Sequence, residues 1–301
     1  MFVTSRNEDK DIGGCFKYPN IQWGSGKDRL YDTLVTQCVE LVEKYGLRHL
    51  MLFGVVDVKD SVGSLADDLE RSPILDCIKA IRSNPRLNKM SLFTDVCLCE
   101  YTDHGHCGIL NPTTNNIDNK SSVDRLAQIA LSYAQAGADV VCPSDMMDSR
   151  IGVIRDTLDA NQNDHVMIMS YTSKKASALY SPFRDAVEST FKGNRSTYQH
   201  PVGSSSIARR ALSRDIAEGA DMVLVKPSLM YTDIIADYKS KCDVPVAAYL
   251  VSGEYKMLAE YGKDEVIREA HVSLVRAGAT VLVSYFTPWI LQNRLLDVWN
   301  A

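Results

Sequence analysis

The sequence lacks the features that mark several large classes of protein. None of its apolar runs reaches the roughly 18 residues that a membrane-spanning helix needs, and its first residues, MFVTSRNEDKD, contain no apolar core of a secretory signal. Basic residues are not in excess either, because the net charge is −5 and the isoelectric point is near 5.7. We therefore expect no nucleic-acid-binding surface, which would be basic, and we expect a cytoplasmic location.

Cysteine is also sparse, with eight residues among 301. This number is too low for a disulfide scaffold, and without a secretory signal we expect a reducing compartment. Three of the eight, Cys97, Cys99 and Cys107, nevertheless fall close together. Clustered thiols in a reducing compartment indicate metal or redox chemistry. We expect Cys142, in contrast, to be a small buried apolar residue.

The composition and the spacing of apolar residues predict an α/β fold. Hydrophobic residues make up 45% and charged residues 24% of the chain, a balance that allows a large core. Apolar runs typical of buried parallel strands lie at residues 49–55, 90–95, 138–143, 166–171, 222–226, 245–250 and 280–285. An eighth strand is expected at residues 2–4, at the start of the chain.

Helical patterns lie between several of these runs, at residues 30–45, 123–136, 209–218, 231–239 and 266–277. Eight strands that alternate with helices predict a TIM (β/α)8 barrel, in a single catalytic domain over residues 1–301. A doubly wound open sheet is the alternative. We favour the barrel because no glycine-rich dinucleotide-binding motif follows the first strand.

The ends of the predicted strands are polar, and in a TIM barrel the C-terminal strand ends carry the chemistry. Lys226 follows its strand directly. Burial and nearby cations lower the pKa of such a lysine, and its neutral amine can then add to a ketone to form a Schiff base. Lys174 is a second candidate, although its neighbour Lys175 makes a solvated surface an equal interpretation. The other polar residues at strand ends are Asp95, Ser144, Ser252 and Tyr285.

The three clustered cysteines have the pattern of a metal site, Cys97-x-Cys99-x7-Cys107, inside DVCLCEYTDHGHCG. Three thiolates suit zinc, and three protein ligands leave the open position that catalytic zinc sites have. His104 and His106 lie in the same segment. They could instead complete a closed structural site with four ligands.

Two arginines and a polar segment follow the run at residues 166–171, which is the fifth strand when the strand at residues 2–4 is counted first. Arg184 lies in SPFRDA and Arg195 in GNRSTYQ. Their guanidinium groups suit a substrate carboxylate, although isolated arginines are more often surface residues. Residues 192–206 are rich in Gly and Ser and include Pro201. This composition predicts a mobile lid over the mouth of the barrel.

Taken together, these motifs resemble one family. The segments that carry the resemblance are LFGV, TDVCLCEYTDHGHCG, VCPSDMMDSRIG, SYTSKKASALYSPFRDA, YQHP, EGADMVLVKP, YLVSGEY and VSYFTP. They resemble the zinc-dependent branch of the porphobilinogen synthase (5-aminolevulinic acid dehydratase) family, from about residue 2 to the C-terminus. The resemblance implies a TIM-barrel lyase of tetrapyrrole and heme biosynthesis that condenses two molecules of 5-aminolevulinate into porphobilinogen with loss of two waters.

The resemblance also implies roles for individual residues. Lys226 would form the Schiff base with the first substrate, and Lys174 would be the second active-site lysine. Asp95 and Ser144 would line the same cavity, where Asp95 could move protons. Zn²⁺ would be held by Cys97, Cys99 and Cys107. The second substrate's carboxylate would be held by Arg184 and Arg195 with Gln199 nearby, and the first substrate's carboxylate by Ser252 and Tyr285.

The sequence departs from the family in several places. The family carries an N-terminal arm that embraces a neighbouring subunit, whereas this chain starts at about the end of the first barrel strand. We therefore expect a homo-oligomer but not necessarily the family's octamer. The segment YQHPVGSSS lacks a proline and a basic residue of the family's lid, Lys175 replaces an aromatic residue, and Leu250 replaces a polar one. Ser149 and Ser181 stand where the family favours glycine.

Two other functions remain open at this stage. One is an enzyme that condenses a different amino-ketone. The other is a non-catalytic relative that binds a metal or a partner protein, which the altered lid and the missing arm favour. Both alternatives keep the fold but change the chemistry.

Overall fold

A computed structural model of the chain describes residues 1–12, 21–28, 30–191, 193 and 195–294. Cys15 and the first residue of the predicted lid, Lys192, lie outside the described residues. The strands are β1 (Phe2–Thr4), β2 (Lys10–Asp11), β3 (Ile21–Gly24), β4 (His49–Val55), β5 (Ser91–Val96), β6 (Val140–Pro143), β7 (Met167–Lys174), β8 (Met222–Lys226), β9 (Val246–Leu250) and β10 (Val281–Ser284).

The helices mostly connect consecutive strands. They are α1 (Asp32–Tyr45), α2 (Pro73–Ser83), α3 (Asn119–Ala136), α4 (Arg150–Ala160), α5 (Ser181–Ala186), α6 (Ser206–Ala217), α7 (Thr232–Lys239), α8 (Ser252–Tyr261), α9 (Asp264–Arg276) and α10 (Thr287–Gln292). Among these helices of the described residues, none is long and apolar enough to span a membrane.

The strand order identifies the architecture. From β5 to β10 each strand pairs in parallel with the strand before it in the chain, and β1 pairs in parallel with β4. A doubly wound sheet would reverse its strand order, so that alternative is wrong. The ring of Phe2 in β1 stacks 6.3 Å from the ring of Tyr285, just beyond β10, which brings the first and the last of the eight parallel barrel strands together. The predicted TIM-like barrel and its eighth strand are confirmed.

The first strand also has partners that the sequence pattern did not predict. On its second edge β1 pairs in parallel with β3, with Phe2 opposite Gln22, and β2 then pairs antiparallel with β3. Among the described residues the sheet therefore has ten strands rather than eight. The two additional strands follow β1 directly in the chain and extend the sheet beside it.

The helices form where apolar periodicity and terminal signals coincide. Helix α1 buries Leu34, Cys38 and Leu41 on one face and ends at Gly46, whose φ of 74° is favourable for glycine. Helix α3 begins at Asp118, whose carboxylate accepts a hydrogen bond from the Ser121 backbone N–H. All five predicted helices are present. The sequence analysis missed α2, α4, α5, α8 and α10.

One departure from the family has a backbone explanation. Ser149, immediately before α4, adopts a φ of 64°, in the left-handed region where a side chain is strained. Ser181, at the start of α5, has an ordinary helical φ of −56°. Glycine therefore has a conformational advantage at position 149 but not at position 181.

Candidate active site

The C-terminal ends of the strands enclose one cavity that collects most of the predicted site residues. The empty space between the lining residues is ≈ 340 Å³ when the open mouth is included. The residues that line it are Asp95, Cys99, Glu100, Ser144, Lys174, Tyr180, Phe183, Arg184, Arg195 and Lys226.

Lys226 is the last residue of β8 and is surrounded by aromatic rings. Its Nζ lies 4.1 Å from the centre of the Tyr249 ring, 5.1 Å from that of Tyr171 and 5.2 Å from that of Phe183. Burial, followed by the positive charge of Lys174, lowers the pKa of Lys226 to about 7. Roughly half of the amine is then neutral at pH 7, whereas an ordinary lysine with a pKa near 10.4 is almost entirely protonated. The sequence-based expectation of a lowered pKa therefore agrees with the structure.

Lys174 ends the neighbouring strand β7, directly opposite Lys226 in the strand register. Its Nζ donates a hydrogen bond to the backbone carbonyl of Ser144. Burial lowers the pKa of Lys174, but the negative charge that the three clustered cysteines can carry, that of Cys107 first, more than offsets this and raises the pKa above its ordinary value. The two lysines thus share one cavity and differ in charge.

Asp95 and Ser144 form a hydrogen-bonded pair between the lysines and the cysteines. The Ser144 hydroxyl donates to Oδ2 of Asp95 at 3.1 Å. Burial, followed by the charge of Glu100, raises the pKa of Asp95 to about 7, although Lys226 and Lys174 oppose this. A carboxyl group with such a pKa can both accept and release a proton near neutrality.

The three cysteines of the predicted metal site come together. The sulfur atoms of Cys97 and Cys99 are 3.4 Å apart, and those of all three cysteines lie within 4.8 Å of one another in a buried position. Two thiolates on a tetrahedral zinc ion would be separated by about 3.8 Å. Soft sulfur donors at this spacing fit a metal ion such as zinc. The cluster can therefore hold a metal.

The two histidines of the same segment have other partners. Nδ1 of His106 is 3.1 Å from the Tyr198 hydroxyl, and Nε2 of His104 is 3.4 Å from the Ser61 carbonyl oxygen. Within the part of the chain that the structure describes, the groups of residues able to hold a metal contain no histidine. The alternative of a closed site with two histidine ligands is therefore not supported.

Both predicted arginines line the cavity. The guanidinium carbons of Arg184 and Arg195 lie 5.2 Å and 4.7 Å from the centre of the Phe191 ring. Arg195 is buried and donates to the Gly105 carbonyl oxygen at 2.8 Å. The Nε atoms of both arginines are buried and have no hydrogen-bond partner among the described residues. These donors are available to a carboxylate ligand.

The remaining three predicted residues lie behind the lining. The Gln199 backbone N–H donates to the Arg195 carbonyl oxygen at 2.9 Å. The Ser252 hydroxyl accepts from the Phe183 backbone N–H at 2.9 Å. The Tyr285 hydroxyl is 3.1 Å from the hydroxyl of Tyr249, whose ring contacts Lys226. Each of the three therefore contacts a residue close to a cavity amine or guanidinium without lining the cavity itself.

Lys175 turns away from the cavity. Its Nζ donates to the backbone carbonyls of Pro201 and Ser204 and lies 5.7 Å from the centre of the Tyr231 ring. A surface location is also wrong, because Lys175 is fully buried. Lys174 is therefore the cation that lowers the pKa of a neighbouring active-site lysine, Lys226. Lys175 does not have this effect on Lys174.

The described part of the predicted lid packs against the cysteine segment. The Tyr198 hydroxyl accepts from the Cys107 backbone N–H at 3.4 Å, and the Tyr198 and His106 rings meet edge-on with their centres 6.0 Å apart. Pro201 and Val202 are exposed. The segment thus contacts the backbone of Cys107 and the ring of His106, while its opening motion stays a prediction.

Three lining residues were missed by the sequence analysis. Tyr180 donates to the Lys175 carbonyl oxygen, and Phe183 packs over Lys226. Both residues lie in the motif SYTSKKASALYSPFRDA, but the sequence analysis gave neither of them a role. Glu100 follows Cys99 directly. An acidic residue inside a cysteine ligand motif was the available signal, since carboxylates also bind zinc.

Comparison with known proteins gives consistent matches over most of the chain. Residues 22–293 match the family model described as delta-aminolevulinic acid dehydratase. A delta-aminolevulinic acid dehydratase from Dictyostelium discoideum is 43% identical over 300 residues, covering 96% of this chain and 86% of the relative. The enzyme of the same name from Bos taurus is 41% identical over 307 residues, covering 97% of this chain and 88% of the relative.

A solved structure agrees with these matches. It is a delta-aminolevulinic acid dehydratase (porphobilinogen synthase) from Toxoplasma gondii ME49, in complex with the reaction product porphobilinogen. The two folds superpose with a TM-score of 0.89 and 33% sequence identity, covering 97% of this chain and 82% of the relative.

Proposed function

The chain belongs to the delta-aminolevulinic acid dehydratase family, and from this premise we propose that it condenses two molecules of 5-aminolevulinate into porphobilinogen with loss of two waters, a step of heme biosynthesis. The observation that carries the proposal is the pairing of Lys174 and Lys226 at adjacent strand ends, in a cavity also lined by Cys99 of the three-cysteine cluster. Two amines suit two ketone substrates, and the cluster suits a metal.

Lys226 starts the reaction on the first substrate. Its amine, with a pKa of about 7, adds to the ketone carbon, and one water leaves as the imine forms. The positively charged imine nitrogen withdraws electrons and makes loss of a proton from the adjacent carbon easier. Asp95, whose pKa is also about 7, is the group that accepts or returns protons here.

Lys174 holds the second substrate in the same way, and the second water leaves with that imine. Its raised pKa means that the amine must first give up a proton, for which the Asp95–Ser144 pair is placed. One carbon–carbon and one carbon–nitrogen bond then join the two substrates. Each bond formation leads to expulsion of one lysine amine, so both lysines are regenerated and two waters are lost in total.

Cys97, Cys99 and Cys107 would hold a zinc ion. When bound, zinc supplies Lewis acidity for a carbonyl or amine of the second substrate. The residues fit this ion by sulfur chemistry and spacing.

The polar residues around the lysines would fix the two substrates in different positions. We assign the second substrate's carboxylate to Arg184 and Arg195, which reach the cavity with unpartnered Nε atoms, and to Gln199 behind them. We assign the first substrate's carboxylate to Ser252 and Tyr285, on the side of Phe183 and Tyr249. Two different carboxylate sites let two copies of one molecule have different roles.

The location and the assembly are also part of the proposal. The seven described cysteines are free thiols, which fits a reducing compartment such as the cytoplasm. The family resemblance favours a homo-oligomer. Sedimentation of the purified chain would test this assembly.

The proposal is tested by incubating the reduced protein with 5-aminolevulinate and Zn²⁺ and measuring the pyrrole product. We expect porphobilinogen, with two substrate molecules consumed for each product. The variant Lys226→Met is the control that separates enzymatic from spontaneous condensation. Absence of pyrrole at every pH and with every divalent metal would contradict the proposal, and preferential trapping of a different ketone would indicate another substrate.

A further inference from the structure

A group of cations at the mouth of the barrel has no role in the proposed reaction. Arg6 lies just beyond the end of β1, and Lys59 lies just beyond the end of β4. Because the C-terminal ends of parallel strands meet at one face of a barrel, both residues lie at the rim of that face. Both contact residues 186–191, where the chain leaves α5. We call residues 186–191 the exit segment.

The carboxylate of Glu188 is the common partner of two of these cations. The Arg6 guanidinium binds it with two hydrogen bonds, from Nη1 to Oε1 at 3.0 Å and from Nη2 to Oε2 at 2.6 Å. Lys10 Nζ also donates to Oε1, at 2.6 Å. These hydrogen bonds, those from Arg6 first, lower the pKa of Glu188 to about 2. A single exposed ion pair contributes little, but a bidentate arginine within a network of charges is the exception.

The backbone of the exit segment is held at the same point. Lys59 Nζ donates to the carbonyl oxygens of Val187 and Glu188, at 3.2 Å and 2.9 Å. The buried side chain of Gln22 donates to the Ala186 carbonyl oxygen at 2.5 Å. Glu188 itself has a φ of 50°, in the left-handed region that residues with a side chain rarely adopt. Such a conformation persists only where the surrounding contacts determine it. We call this set of contacts the rim clamp.

The exit segment leads directly to the ring that both cavity arginines contact. The centre of the Phe191 ring is 5.2 Å from the guanidinium carbon of Arg184 and 4.7 Å from that of Arg195. Within the segment, the Ser189 backbone N–H donates to the Arg184 carbonyl oxygen at 2.8 Å. The rim clamp at Glu188 is therefore connected to both guanidinium groups through a few residues of chain.

We infer that Glu188 is a positioning residue. Through the rim clamp it fixes the exit segment and, through Phe191, the spacing of the two cavity arginines. This inference rests on the proposed function, which assigns the second substrate's carboxylate to those arginines. Phe183, on the side of the first substrate, has a separate support, because its ring lies 5.7 Å from that of Phe2 and 5.5 Å from that of Phe53. The clamp should therefore affect the second substrate and not the first.

The test compares Glu188→Gln, which keeps the shape of the side chain but removes its charge, with the wild type. We expect KM for 5-aminolevulinate to rise about threefold to tenfold, as for the loss of one coupled pair, with kcat changed by less than about twofold. Borohydride trapping at Lys226 should keep its wild-type pH dependence. Hydrogen–deuterium exchange of the backbone amides of the exit segment should become faster.

Three further variants make the result interpretable. Arg6→Gln removes the other half of the bidentate pair, and combining it with Glu188→Gln should add little to either single effect. Glu43→Gln is the matched control, because it breaks a bidentate pair with Arg86 near the starts of β4 and β5. It should change neither KM nor exchange. If the Gln variants fail to fold, Lys10→Met removes one contact to Glu188 and should raise KM by a smaller factor.

The possible outcomes distinguish this inference from the proposed function. An unchanged KM in both Glu188→Gln and Arg6→Gln would overturn the inference and leave the pair as a contribution to stability alone. Equal losses of kcat and of trapping at Lys226 would overturn it as well, since the effect would not be specific to the second substrate. Absence of pyrrole in the wild type would contradict the condensation instead. The exchange experiment needs no substrate, so unchanged exchange would overturn the inference in either case.

Discussion

The cavity has an aromatic side, formed by Tyr171, Tyr180, Phe183 and Tyr249 around Lys226, and a sulfur side, where the three cysteines face Lys174. The two lysines occupy equivalent positions on adjacent strands, yet the pKa of Lys226 falls to about 7 while that of Lys174 rises. Burial acts on both lysines in the same direction. The difference comes from the charges that each one faces.

This comparison teaches that a strand end supplies the position of an amine but not its protonation state. Lys226 is buried against aromatic rings and next to another cation, so its neutral form is favoured. Lys174 is close to thiolates, so its charged form is favoured. An enzyme that must treat two identical substrates differently can obtain the difference from this asymmetry.

Removal of the Lys226 amine should have the largest effect. We expect Lys226→Met to lower kcat by more than about a thousandfold, because a covalent step loses its nucleophile. The rate of pyrrole formation measures this. Lys79→Met, at an exposed position on α2, is the matched control and should retain activity. If the kcat of Lys226→Met lay within tenfold of the wild-type value, the proposed difference in role between the two lysines would be contradicted.

Disruption of the sulfur side should have the next largest effect. Cys107→Ser should lose tightly bound metal and most activity, since oxygen replaces one of three soft ligands. Metal content after dialysis and activity before and after chelation are the measurements. Cys242→Ser changes a cysteine outside the cluster and should behave as the wild type. Full activity of the metal-free protein would show that the cluster is not part of the reaction.

The features that sequence reasoning predicted well depend on local patterns. Buried runs marked the barrel strands, and the position of Lys226 at the end of one of them was enough to identify it as a candidate nucleophile. The Cys97-x-Cys99 spacing likewise indicated a metal site. Such features need only the residue type and a neighbourhood of a few residues.

The features that sequence reasoning predicted poorly depend on contacts between segments that are distant in the chain. Whether Lys175 pointed into the cavity was left open, and only the structure shows that its amine instead binds the carbonyls near Pro201. The sequence motif places Glu100 beside Cys99, but only the structure shows that its buried Oε1 has no hydrogen-bond partner among the described residues. The placement of Ser252 and Tyr285 behind the lining has no local signature, because it depends on how α8 meets α5 and on how the end of β10 meets β9.

A smaller effect is expected from Lys175, which ties the lid segment to β7 from outside the cavity. Lys175→Met loses the hydrogen bonds to Pro201 and Ser204, and the free energy of unfolding should fall by about 1.5–3 kcal/mol, as for hydrogen bonds from charged groups. We expect KM to rise about threefold to tenfold, equivalent to about 1 kcal/mol, with little change in kcat. Lys89→Met is an exposed control. A change in kcat alone would place Lys175 in the chemistry.

The smallest effect concerns a position outside the cavity. Ser149→Gly should relieve left-handed strain and raise the free energy of unfolding by about 1 kcal/mol, which corresponds to about 2–4 °C in Tm. Ser181→Gly, at a helical φ, should lower it by about 0.5–1 kcal/mol. Thermal unfolding of both variants measures these two opposite changes in the free energy of unfolding. Stabilisation by both, or by neither, would contradict the backbone explanation.

The most direct measurement of the central claim is borohydride trapping of 5-aminolevulinate on the protein as a function of pH, with the labelled lysine located by peptide mass spectrometry. Because the amine reacts when neutral, labelling should appear at Lys226 and rise with pH to half its maximum near pH 7. In Lys174→Met the midpoint should move to higher pH, since the charge that lowers the pKa of Lys226 is gone. Labelling confined to Lys174, or a midpoint near the ordinary lysine pKa of about 10.4, would contradict the account.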